Sequence, residues 1–83
     1  MVIKSEIVGS RTVAIKYPVA NGLYCVEVAE DAKGWCYPWE IRQDGTRACA
    51  YSYASNKKQA DAIFSEMVTR EKMMAGGKIE YHT

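Results

Sequence analysis

The apolar residues of this chain keep, with interruptions, a period of two as far as Ala54 and a period near 3.6 after it. One switch of that kind is restrictive. Strands of period two must pair with one another, and the helix that follows has a single stripe to bury, against a single face of the sheet they make. The chain of 83 residues has room for one domain, residues 1–83, and one core, with no second domain or deep cleft. The expected fold is α+β: an antiparallel meander of about four strands with one C-terminal helix packed on one face.

Turn residues divide the first part. Residues 2 to 8 can form a strand, with Gly9-Ser10 as a bend or bulge. In RTVAIKY, Val13, Ile15 and Tyr17 alternate with Thr12, Ala14 and Lys16, until Pro18 and Asn21-Gly22 break the pattern. YCVEVAE (24–30) alternates more cleanly, and Asp31 to Gly34 reads as a hairpin loop. WCYPWEIR (35–42) then places Trp35, Tyr37, Trp39 and Ile41 on one side of a strand. Asp44-Gly45 is the strongest short hairpin signal, and TRACAYSY returns as the next strand. Ser55 is a good N-cap for the helix. Its apolar stripe runs through Ala60, Ile63, Phe64, Met67, Val68, Met74 and Ala75, with Met73 and Glu71 outside it. Gly76-Gly77 supplies the stop, and KIEYHT is a short edge strand or a tail.

Register makes these patterns geometric. With Asp44-Gly45 at the centre of a two-residue turn, Trp39 faces Ala50, Ile41 faces Ala48 and Tyr37 faces Ser52. A loop at 31 to 34 sets Val28 opposite Tyr37, Val26 opposite Trp39 and Tyr24 opposite Ile41. Both hairpins put Trp39 in the core. The other face then carries Cys25, Glu27, Cys36, Pro38, Glu40, Arg42, Arg47, Cys49, Tyr51 and Tyr53. One helix covers one face, so this second face is solvated, crossed by the N-terminal segment, or bound by a partner. Antiparallel sheets often leave one face wet. Tyrosine, arginine and proline beside a carboxylate suit an interface better than a core, which makes Tyr51, Tyr53, Arg42, Arg47, Glu40 and Pro38 the candidate partner-binding residues. Edge pairing into a homodimer is another use of such a sheet.

Chemistry is harder to find. Eleven basic and ten acidic side chains give no electrostatic footprint for nucleic acid. No apolar run approaches the roughly 20 residues of a membrane span, so no membrane partner is expected. The start, MVIKSEIVGSR, lacks the apolar region of a signal peptide, which predicts a cytoplasmic protein. Cys25, Cys36 and Cys49 are odd in number and read as reduced thiols. With His82 they supply four zinc-ligand types, but the spacings fit no short knuckle, and no metal or other cofactor is expected. The single histidine is the penultimate residue, a poor place for the base of a cysteine nucleophile. Glu27 and Glu40 can lie on neighbouring strands, where Arg42 and the lysines make ion pairs the default. No catalytic residue and no enzymatic activity are expected.

Two resemblances add to this reading. YASNKKQADAIFSEMV resembles the last strand-to-helix step of double-stranded RNA-binding domains, with Lys57 and Lys58 at two basic positions and Ala60 at the packing alanine. Asp61 stands where that family has a third basic residue, and its first helix has no counterpart here. Lys57 and Lys58 are the phosphate contacts which that resemblance implies. The run Y-x-W-x-I-x-x-D-G followed by YAS-x-x-x-x-A-x-x-I is similar to small phage and bacterial meander-plus-helix proteins, anti-CRISPR inhibitors among them. That likeness implies a non-enzymatic protein-interaction module that occludes a larger partner. A nucleic-acid-binding domain and a homo-oligomeric structural protein are the alternatives.

Overall fold

This computed structural model describes residues 1–32 and 37–75. Four strands, β1 (Val2–Val8), β2 (Arg11–Lys16), β3 (Tyr24–Asp31) and β4 (Thr46–Ala54), form one sheet in the order β1-β2-β3-β4. Each pairs antiparallel with the next, and the helix α1 (Lys57–Ala75) packs across one face. The expected meander closed by a C-terminal helix is what the chain adopts.

The turns follow from their glycines. Gly9 sits at φ 63 between the paired residues Val8 and Arg11, a left-handed conformation that favours glycine, so Gly9-Ser10 closes a two-residue hairpin. Asn21 (φ 51) and Gly22 (φ 74) both adopt positive φ, and the Leu23 amide donates to the Ala20 carbonyl across them at 2.9 Å. That is the primed turn whose twist matches the flanking strands.

β2 and β3 are the centre of the sheet. Val13 pairs with Val28 and Ile15 with Val26, and all four side chains are buried against α1. Val8 and Ala54 join them from the outer strands, and Ala60, Phe64 and Val68 close the cluster from the helix. Their spacing of four residues keeps them on one stripe. Each fully buried aliphatic or aromatic side chain contributes about 1.5–3 kcal/mol.

Several expectations fail here, each for a physical reason. Residues 37–42 form no strand: Pro38–Glu40 is a single 3-10 turn that Pro38 opens. Proline has no N–H to give to a ladder, so it starts a helical turn better than it continues a strand. β3 therefore pairs directly with β4, with Val28 opposite Ala50, Val26 opposite Ser52 and Tyr24 opposite Ala54. Trp39 is not core; it is 78% exposed. Trp35 and Cys36, with Gly76-Gly77 and the KIEYHT segment, lie outside the described residues.

The helix cap and stripe shift as well. Asn56, not Ser55, caps α1: its Oδ1 accepts the Gln59 amide at 2.8 Å, while the Gln59 side chain reaches back to the Ser55 amide. Glu71 takes the buried stripe position in the last turns, and Met74 and Ala75 are exposed. Burial of that carboxylate is offset by Arg11, whose Nη1 lies 3.4 Å from Glu71 Oε1.

Candidate partner-binding surface

The face that α1 leaves uncovered carries Thr12, Ala14 and Lys16 from β2, Cys25, Glu27 and Ala29 from β3, and Tyr51 and Tyr53 from β4. Register fixes this set, because Lys16 pairs with Cys25, Ala14 and Tyr51 each pair with Glu27, and Tyr53 pairs with Cys25. At its centre Glu27 is buried, although α1 packs on the opposite face. Its two carboxylate oxygens accept from Arg42 Nη1 at 2.9 Å and Nη2 at 3.0 Å, and Lys16 Nζ lies 3.0 Å from Oε2. Burial would raise the Glu27 carboxyl, but the bonds from Arg42 and Lys16 outweigh it and hold it below the usual carboxylate range.

Arg42 reaches Glu27 because a tight turn aims it there. The Asp44 carboxylate accepts the Thr46 amide at 3.0 Å and the Thr46 hydroxyl at 2.6 Å. Gly45 takes φ 83, and the Arg42 amide donates to the Thr46 carbonyl at 2.8 Å. Asp44-Gly45 thus makes a side-chain-bonded turn that returns Arg42 over the start of β4. Arg42 Nη2 also touches the Thr46 hydroxyl at 3.0 Å. Between this turn and β1 the face holds an open groove of 290 Å³, floored by Ala14 and Ala29 and edged by Ser5, Thr12, Lys16 and Arg42.

Tyr51 and Tyr53 stand beside this clasp. They are 61% and 55% exposed, and their rings meet edge-on with centroids 5.7 Å apart. Tyr37 and Trp39 make a second exposed pair, stacked at 4.6 Å with 6° between the planes. Their place in an expected core strand concealed them. Pro38 between them was the signal that this segment leaves the sheet.

The candidate residues separate into two groups. Tyr51, Tyr53 and Arg42 share the open face. Arg47 and Glu40 belong elsewhere: Glu40 ends the 3-10 turn outside the sheet, and the β3–β4 ladder that carries Arg47 is irregular between Val28 and Ala29. The extra residue on β4, Cys49, shifts the alternation, as a bulge does. Arg47 pairs with Glu30, and a chain of ion pairs runs from Glu40 to Arg47 at 3.1 Å, Arg47 to Glu30 at 3.1 Å, Glu30 to Arg11 at 3.2 Å and Arg11 to Glu71 on α1. Pro38 is exposed at the start of its turn.

Cys25 and Cys49 lie on opposite faces: Cys25 beside Glu27, Cys49 against the helix-covered core. Burial pushes both thiols above their ordinary range, so at neutral pH they are protonated and poor nucleophiles. Among the described residues no three histidine, cysteine or acidic side chains come together to hold a metal ion. Cys36 and His82 lie outside them. Lys57 is paired with Asp61 at 2.9 Å, and Asp61 also lies 3.8 Å from Lys4, while Lys58 is exposed. Among the described residues no helix is long and apolar enough to cross a membrane. Comparison with protein-family models, with curated proteins and with solved structures gives no match to this chain.

Proposed function

We propose that the chain is a non-enzymatic protein-interaction module that occludes a surface of a larger protein with its open sheet face. The observation that carries this reading is the side-by-side exposure of Tyr51 and Tyr53 on the sheet face that α1 leaves uncovered. Exposed tyrosines on a rigid strand give large contact area at small entropic cost, and such residues dominate interface energetics. The Glu27–Arg42–Lys16 clasp keeps the strand beneath them in place and supplies a charged rim.

Capture from a lysate of the cells that make the protein tests this. Wild-type chain should retain a protein partner in stoichiometric amount. The double variant Tyr51→Ala with Tyr53→Ala should keep its circular dichroism spectrum and melt within about 1 kcal/mol of wild type, since both rings are more than half exposed. Its retention of that partner should fall tenfold or more, as for central aromatic anchors, about 1.4 kcal/mol or above. Recovery of nucleic acid alone, or equal retention by the variant, overturns the reading.

A further inference from the structure

β1 is the outer strand on the side of the sheet away from the tyrosines, and among the described residues it pairs only with β2. It is an unusual edge. Val2, Ile3 and Ile7 are all exposed, Ile7 at 77%, although aliphatic side chains on a free edge invite association. Its sequence, Val2-Ile3-Lys4-Ser5-Glu6-Ile7-Val8, is also symmetric about Ser5. Valines stand three residues either side, isoleucines two, and a lysine and a glutamate one. Lysine on an edge strand normally repels a second copy. Here a glutamate mirrors it at the same distance from the centre, so antiparallel pairing about Ser5 brings unlike charges together.

We infer that β1 pairs with β1 of a second copy about a two-fold axis at Ser5, joining two sheets into one of eight strands. In that register Lys4 lies opposite Glu6 of the second copy, and Ile3 opposite its Ile7, each twice by symmetry. Opposite charges and aliphatic pairs facing across antiparallel strands are both stabilising. A slip of two residues sets Lys4 against Lys4 or Glu6 against Glu6, so the charges select the register as well as the orientation.

The helix side reinforces it. Lys4 and Glu6 share the face covered by α1, where Lys4 lies 3.8 Å from Asp61 and Glu6 3.2 Å from Lys72. Pairing about Ser5 continues these contacts into an alternating row: Asp61, Lys4, Glu6 of the second copy, Lys72 of the second copy. Ile7 projects to the open face, as its partner Thr12 does, and Ile3 sits at the irregularity between Val2 and Lys4. β4 and its tyrosines lie at the opposite edge of the four described strands, so the dimer and the proposed partner surface are independent.

Light scattering at two protein concentrations tests the dimer without any partner. Wild type should show twice the 9.3 kDa of one chain. Ile7→Lys removes an exposed aliphatic group and should raise the dimer dissociation constant about tenfold or more while leaving the circular dichroism spectrum unchanged. Ile3→Glu combined with Ile7→Lys sets Glu opposite Lys in this register alone and should restore the dimer. A monomeric wild type up to about millimolar protein, an Ile7→Lys variant that dimerises as wild type does, or a double variant that stays monomeric overturns the proposal. The lysate capture stands or falls separately, because Tyr51→Ala with Tyr53→Ala leaves β1 intact.

Discussion

The two faces of the sheet bury their centres by opposite means. Under α1, Val13, Ile15, Val26 and Val28 meet Phe64 and Val68, and the burial at this centre is aliphatic and aromatic, with the buried Glu71 carboxylate confined to the end of the stripe beside Arg11. On the open face, Ala14, Cys25, Glu27 and Ala29 are buried on the side away from α1, with Lys16 and Arg42 paired to Glu27. The first face is held by packing, which depends on volume and hardly on solution conditions. The second is held by a carboxylate clasped between two cations, which depends on protonation and on one turn. Stability therefore belongs mainly to the helix-covered face, and the open face is the one that can be remodelled.

Phe64→Ala should separate them most sharply. It removes a buried ring from the core cluster and should cost about 3–5 kcal/mol, a large part of the roughly 5–10 kcal/mol available to a domain of this size. Thermal or urea melts would then show a chain partly unfolded at 37 °C. A near-wild-type melt would mean that the packed face is not where stability lies.

Glu27→Gln probes the other face and should cost less, about 1–3 kcal/mol. It breaks a buried ionic contact, but Arg42 and Lys16 are a third exposed and regain water. Acid should act through the same carboxyl. Because its folded pKa lies below the unfolded value of about 4.3, its contribution is complete above that pH and fades as the pH falls through the folded value. Wild type should accordingly lose stability below about pH 4 more steeply than Glu27→Gln. Parallel acid melts of the two proteins would contradict the clasp.

The smallest effect belongs to Trp39→Ala. With the side chain standing in solvent, the melt should move by no more than about 0.5 kcal/mol. A loss comparable with that of Phe64→Ala would restore Trp39 to the core and dissolve the contrast between the faces.

That last residue also marks where sequence ceased to be a guide. The central hairpin was legible because three local signals agreed: clean alternation in Val13–Ile15 and Val26–Val28, Asn21-Gly22 between them, and a helical stripe of matching chemistry. In 35–42 the signals conflicted. Tyr37, Trp39 and Ile41 alternate as a strand would, yet Pro38 cannot serve a ladder. Asp44-Gly45 was a turn, as expected, but the Asp44 carboxylate closed it locally onto Thr46 instead of leaving a bare two-residue hairpin. The placing of Tyr51 and Tyr53 on the open face survived, because that face follows from the even-numbered pairing of Ala50 and Ser52 with β3. Arg47 falls on the other face, since period-two reasoning cannot see the extra residue, Cys49, between it and the tyrosines in the same strand.

The irregularity at Cys49 has a consequence for how such a chain can change over generations. It divides nine consecutive residues into two stretches that answer to different demands. Substitutions at Arg47 disturb the ion pairs that reach α1, and so fall under selection for folding. Substitutions at Tyr51 and Tyr53 alter what the open face presents and leave those pairs alone. One extra residue thus lets a single strand carry two separable demands, one on architecture and the other on what the open face presents.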